Sequence, residues 1–174
     1  MIEDVPIPLT DEDLYGEERN VEEPVEQFIP FRLGAEWYSV SITKIREVLR
    51  AGQITYLPSA PSHIAGIINR RGNILSVTDP KRLFGVPPSP RTEQNRIVVV
   101  EAQGTETGLL VDEVEEVVAV PLSHLESPLS TLDPERAAYL EHTCRSGERL
   151  MAILRVEKLL GMADASQSSA QRGG

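Results

Sequence analysis

The chain is short of the residues that usually carry chemistry. Its 174 residues include one cysteine, three histidines and eight aromatics. Cys144 has no partner for an internal disulfide and no second thiolate for a metal site, so it reads as a small strand or core residue in a reducing compartment. His63, His124 and His142 stand at no metal-ligand spacing from one another or from the cysteine. No apolar run approaches the roughly 20 residues that cross a bilayer, and the N-terminus carries acids where a secretory signal carries bases, which points to the cytoplasm with no direct membrane insertion. Gly66 and Gly72 are separated by apolar residues and two arginines and are not followed by Lys-Ser/Thr, so there is no phosphate-binding loop. A GxSxG nucleophile elbow is also missing. The carboxylates Asp112, Glu113, Glu115 and Glu116 fall in a strand-rich stretch whose alternate members face solvent, which argues against general acid/base work. No enzymatic reaction, cofactor or metal is expected.

Positive charge is scarce as well. The formal net charge is −10, and residues 1–26 alone hold ten acids against one base, Arg19. The remainder is close to neutral, which removes the electrostatic footprint of a nucleic-acid binder. With prolines at 6, 8 and 24 and no sustained apolar period, residues 1–26 read as a disordered acidic tail. Residues 163–174, rich in Ser, Gln, Ala and Gly, read as a flexible C-terminal tail.

What lies between is mostly short strands. Ile29, Phe31 and Leu33 alternate before Gly34-Ala35, and Trp37, Tyr38 and Val40 follow. This is a hairpin, and Pro30 places it at a sheet edge. Ser41 caps a short helix, because Ile42, Ile45 and Val48 or Leu49 recur at helical spacing. Further strands are expected at residues 53–57, 67–68, 73–78, 97–101, 108–111, 114–120, 139–144 and 150–154, and strands this short suggest small barrels. Asp79-Pro80 reads as a cap and first-turn proline, Gly85 as the end of that helix, residues 86–94 as an exposed connector and 157–161 as a last short helix. Gly34-Ala35-Glu36, an apolar strand and IREVL echo Gly104-Thr105-Glu106, an apolar strand and VEEVV about 70 residues on. Chance similarity of two hairpins and an internal duplication both account for this, and duplication predicts two barrels of one kind.

The most specific text is residues 64–85, IAGIINRRGNILSVTDPKRLFG. It resembles the central stretch of the CheW family of chemotaxis coupling proteins, with an Asn-apolar-Arg-Gly turn between two strands and a Val-Asp turn before a short helix. Residues 28–40 (FIPFRLGAEWYSV), 45–61 (IREVLRAGQITYLPSAP), 108–120 (GLLVDEVEEVVAV) and 150–160 (LMAILRVEKLL) keep the family's order, so the resemblance covers about 27–162. It implies a mostly β fold of two packed five-stranded SH3-like barrels with short helices. It also implies a non-catalytic adaptor that joins chemoreceptor cytoplasmic tips to the regulatory domain of a CheA-type histidine kinase, with other CheW-like proteins as further partners.

The same resemblance implies a partner surface. Arg71 matches the family's arginine and Glu47 its helix acid, and Gly108 and Val117 match positions toward the kinase interface; on their own apolar chemistry, Ile45 and Val48 beside these charges offer a small anchor for a receptor helix. On the residues' own chemistry, the turn Asn69-Arg70-Arg71-Gly72 uses Asn and Gly where positive φ is cheap and turns an arginine outward. The bland alternatives are a surface salt bridge, core packing at Ile45 and Val48, and ordinary strand positions at Gly108 and Val117. Arg70 stands where the family has an apolar residue, Ser76 replaces a common proline, and Pro80 interrupts the usual Val-Asp-Leu-Arg. Arg70 and Pro80 alone motivate a second reading, a specialised or inhibitory relative that binds receptors without coupling them to a kinase. A generic β-barrel ligand or nucleic-acid module is a third, disfavoured by acidity and few aromatics.

Residues 44–82 hold seven bases and two acids, whereas 101–126 hold seven acids and neither Lys nor Arg. If these stretches occupy different faces, complementary potentials steer a head-to-tail contact with another adaptor or the related kinase domain.

Overall fold

The computed structural model describes residues 23–128 and 133–161. The C-terminal tail and residues 1–22 of the acidic segment lie outside them. Its last residues do not: β1 begins at Val25, and Val25 and Glu26 pair with the strand ending at Pro121.

The opening hairpin forms where the alternation predicts it, β1 (Val25–Leu33) against β2 (Glu36–Ser41), with Gly34 at φ +62° in the turn. One 3₁₀ turn, Ile42–Lys44, follows, with Ser41 accepting from the Thr43 N–H. Then come β3 (Ile45–Arg50), the hairpin β4 (Ile64–Arg70) and β5 (Asn73–Thr78), and α1 (Pro80–Phe84). Asp79 accepts from the Lys81 N–H, Pro80 sits where its missing donor costs nothing, and Gly85 closes α1 in the left-handed region, as the sequence predicts. The second half repeats the order: hairpin β6 (Arg96–Ala102) and β7 (Thr105–Val111), the broken strand β8 (Glu113–Val114) and β9 (Val118–Pro121), α2 (Pro134–Ala137), hairpin β10 (Leu140–Ser146) and β11 (Arg149–Leu154), and α3 (Val156–Leu159).

The strands make two sheets, β10-β11-β2-β1-β8 with β9 also on β1, and β3-β6-β7-β5-β4. Aligning the halves makes the two orders identical, with β3 answering to β8 and β9 together. Each sheet even repeats a parallel pairing, β5 with β7 and β11 with β2. These are the two barrels that duplication predicts, but they interlock. Each half lodges its hairpin in one sheet and its remaining strands in the other. Each barrel closes through a single bridge, Thr55 with Ile67 and Glu126 with Thr143. The expected strand at 53–57 reduces to that one bridge.

Buried residues fall into three clusters that match this plan. Leu75, Val77, Ile97 and Val99 fill the first barrel, and Phe28, Val120, Cys144, Met151 and Ile153 fill the second. Burial pushes the Cys144 thiol pKa up, which keeps the thiol protonated and inert. Phe31, Leu33, Tyr38, Val40, Phe84, Val98, Val100 and Leu109 form the core between the barrels. β6 is therefore covered on both faces, with Ile97 and Val99 turned one way and Val98 and Val100 the other, which explains its unbroken apolar run.

Pro30 is not at an edge. β1 pairs with β2 on one side and with β8 and β9 on the other. The proline lies opposite the break between β8 and β9, where its carbonyl accepts from the Glu115 N–H at 2.9 Å. A residue that cannot donate is tolerated where the partner strand is interrupted, and for that reason the expected strand 114–120 is split.

Candidate protein-interaction site

Residues 45–50 are a strand, not the helix that the spacing of Ile42, Ile45 and Val48 predicts. Antiparallel pairing with β6 runs Ile45 to Val100, then Glu47 to Val99 and Val48 to Val98, so Arg46 is an extra residue in a β-bulge. Because of the bulge, Ile45 and Val48, three apart in sequence, share the side occupied by Val100 and Val98, which imitates a helical repeat. Ile45 packs against the central core, whereas Val48 stays 38% exposed. Glu47 falls on the opposite side, at the mouth of the first barrel.

The β4–β5 turn reaches the same mouth. Arg71 at φ +53° and Gly72 at φ +84° form the two-residue turn. Asn69 stays in β4, and its side-chain carbonyl accepts from the Gly72 N–H at 2.9 Å. The tight turn therefore rests on Arg71 and Gly72, and Asn69 serves as an acceptor. A positive φ costs a non-glycine residue free energy, and here that conformation holds the Arg71 side chain out in solvent, 75% exposed.

An ion-pair chain joins these elements. The Glu47 carboxylate takes Arg71 Nη2 at 2.9 Å and Arg70 Nε at 3.4 Å. Arg70 Nη2 reaches Glu106 Oε1 at 2.7 Å, Arg46 Nε lies 3.7 Å from Glu106 Oε2, and Arg46 Nη1 lies 3.2 Å from Glu101. The exposed Arg71–Glu47 link contributes under about 1 kcal/mol to stability. Arg70 differs: its side chain is only 17% exposed, and its Nη1 is buried without a hydrogen-bond partner. A buried unpaired donor costs about 1–3 kcal/mol, while Arg70 is held by its other two nitrogens, Nε on Glu47 and Nη2 on Glu106. Glu101, Glu106 and Arg46 were not among the residues singled out in the sequence; the alternation of sign across neighbouring strands becomes readable only once the register is known. Among the described residues no cluster of His, Cys, Asp and Glu suited to a metal occurs.

Comparison with known proteins agrees with this architecture. The CheW-like domain family matches residues 27–164. The chain belongs to that family. Chemotaxis protein CheW of Bacillus subtilis (strain 168) is 26% identical over 144 residues, covering 83% of this chain and 92% of its own length. Chemotaxis protein CheW of Helicobacter pylori is 28% identical over 146 residues, covering 83% and 87%. The crystal structure of the scaffolding protein TtCheW from Thermoanaerobacter tengcongensis superposes with a TM-score of 0.70 at 32% identity, covering 78% of this chain and 88% of that one. Membership of the CheW-like family carries with it the two SH3-like subdomains and a chemotaxis adaptor role in which proteins are held and no bond is made or broken.

The structure brings Glu47, Arg70, Arg71 and Gly72 together at one barrel mouth, but not the whole expected set, and Val48 lies on the opposite side of β3 from Glu47. Gly108 is buried in β7. A Cβ there would lie 2.4 Å from Ile97 Cγ2, so the glycine is explained by packing inside the first barrel. Val117 sits in the break between β8 and β9, on the other sheet and 47% exposed. Nor do the basic and acidic stretches face apart. Arg46 and Arg70 pair with Glu101 and Glu106, and Lys81 pairs with Asp112 at 2.8 Å in a buried contact. Much of the charge contrast is thus consumed within the molecule, which removes most of the motive for head-to-tail steering. Among the described residues no helix is long and apolar enough to cross a membrane.

Proposed function

We propose that this CheW-like chain couples the cytoplasmic tips of chemoreceptors to the regulatory domain of a CheA-type histidine kinase, and that the β4–β5 turn with Glu47 forms part of the contact surface. The observation that carries the reading is Arg71, a guanidinium held outward by a tight turn and an ion pair to Glu47, with exposed Ile74 on β5, the strand that leaves the turn. A preoriented arginine beside an apolar side chain suits a partner helix that carries a carboxylate and an apolar stripe. The adaptor acts by position. It keeps receptor and kinase in one lattice, where receptor state biases the population of kinase conformations, and several weak contacts sum through avidity. Such a protein works in the cytoplasm and meets the membrane through its receptors, with other CheW-like chains as lattice neighbours.

Arg70 and Pro80, the departures behind the kinase-uncoupled reading, sit without conflict, one tied to Glu47 and Glu106 and the other at the first helical position of α1. The test is a pull-down of the full chain with a receptor tip and with a kinase regulatory domain, comparing wild type with Arg71→Glu. Binding of both partners, weakened for at least one by the substitution in a folded protein, is the expected result. Receptor binding alone would favour the uncoupled relative, and binding of neither would leave an adaptor fold without this function.

A further inference from the structure

Arginines gather where β3 ends. Arg50 and Arg96 stand directly opposite each other across β3 and β6, and Arg91 donates to the carbonyls of Ala51 and Gly52 at 3.3 and 2.8 Å. Among the described residues none of the three has a carboxylate within ion-pair distance, whereas Arg46, Arg70, Arg71 and Arg82 each do. Like charges placed opposite each other on a sheet destabilise it, although Arg96 Nη1, like Arg91, is tied to backbone carbonyls, those of Glu93 and Asn95 at 2.8 and 2.9 Å. Beside these arginines opens a groove of about 660 Å³. Its floor includes Leu49, Ile67, Ile68 and Ile74, its charged lining is Arg50, Arg70 and Arg71, and no carboxylate lines it.

A groove with an aliphatic floor and guanidinium walls fits an acidic chain with interspersed apolar side chains. The protein carries such a chain. Residues 1–22, outside the described structure, hold eight acids against Arg19, with Val5, Ile7 and Leu9 alternating with Pro6 and Pro8, and Leu14 among acids. Proline alternation favours extended backbone, the form in which a peptide lines a groove. Length permits the contact. The thirteen residues 10–22 span up to about 44 Å. A globule of about 135 residues has a radius of gyration near 14 Å, so that reach covers about three quarters of the roughly 57 Å surface path to its far side. Tethering gives an effective concentration of order millimolar, enough for a weak contact to be populated. A second copy is a poorer occupant, because two chains of net charge −10 repel.

We propose that the acidic N-terminal segment docks in cis on the arginine-rimmed groove of the first barrel. Because Arg70 and Arg71 line that groove, the docked segment covers the turn assigned above to partner contact, but the docking stands or falls independently of that assignment. A full-length protein with Thr10→Cys and Cys144→Ala, carrying a nitroxide at position 10, reports it by NMR. The amide signals of Arg50, Ile68 and Ile74 are expected to lose most of their intensity at low ionic strength, and to recover when salt is raised or when Arg50→Glu and Arg96→Glu are added. In a mixture of labelled chains without ¹⁵N and unlabelled ¹⁵N chains, the broadening is expected to vanish. A second measurement avoids the cysteine background: neutralising Asp11, Glu12, Asp13, Glu17 and Glu18 to their amides in the otherwise native chain shifts the same groove amides. Broadening that persists in the mixed sample, that ignores charge reversal, or that centres on the second barrel would overturn the proposal, as would groove amides unmoved by tail neutralisation.

Discussion

Replacing Gly108 with alanine separates packing from recognition at one buried position. Gly108 lies in β7 at an ordinary negative φ, so the substitution strains no dihedral, and the added methyl meets Ile97 Cγ2 at 2.4 Å and Leu75 Cδ2 at 3.5 Å. Van der Waals contact between carbons begins near 3.5 Å, so the barrel has to open by about an ångström. Overpacking a filled core costs about 1–3 kcal/mol, while Gly→Ala restricts the unfolded chain and returns about 0.4–1 kcal/mol. The net destabilisation is about 1–2 kcal/mol, which for a protein of this size lowers Tm by about 2–8 °C. Thermal unfolding followed by circular dichroism measures it. The double mutant with Ile97→Ala supplies the control, since the new methyl then enters the space the isoleucine vacates and the double mutant is no less stable than Ile97→Ala alone. If Gly108→Ala left Tm unchanged yet weakened binding to the kinase regulatory domain, the packing argument would be refuted and the glycine would belong to a contact surface.

Gly66→Ala is expected to cost more than Gly108→Ala, because its Cβ meets the Thr55 carbonyl oxygen at 2.2 Å and its φ is +154°; backbone cannot yield as a side chain does, and comparative urea unfolding ranks the two. Lys81→Met strands Asp112, whose carboxylate holds Lys81 and the Gly34 N–H, and is expected to cost about 3–5 kcal/mol in denaturant unfolding. The hydrogen bond from Lys44 lowers the Glu157 pKa, so that pair contributes stability above the ordinary glutamate range and loses it as pH falls through the depressed value. Glu157→Gln should therefore flatten the acid side of the Tm–pH curve and leave the curve near neutrality almost parallel. Arg71→Glu, the variant used for the pull-down, is expected to change stability by under about 1 kcal/mol, consistent with a side chain that is mostly in solvent.

Sequence periodicity located most strands because their faces differ in burial: residues 73–78 and the cap and stop of α1 are visible in the residues themselves. It failed where a strand breaks its own period. The bulge at Arg46 turned a two-residue repeat into a three-residue one, and Pro30 marked an interrupted partner strand instead of an edge. Glu47, Arg70 and Arg71 were legible from the family's text and the turn chemistry. Gly108 has a packing reason of its own that the letters hide, since a glycine needed for close packing carries the same letter as one needed at a surface. Glu106 gave no signal, because its meaning depends on Arg70 lying across the barrel mouth from it.

The exchange of hairpins between the halves has a mechanical consequence. No single cut in the chain separates the barrels, because the strands of the first, β3 to β7, are consecutive and the second takes its strands from both sides of them, β1, β2 and β8 to β11. A shared central core and two short connections, Ile42–Lys44 and Asp112, join the barrels, so order in the two is gained and lost together. An adaptor gripped at one barrel and pulled at the other therefore behaves as a single stiff link, and a small movement imposed at one end of it arrives at the other end as movement instead of being spent on internal slack.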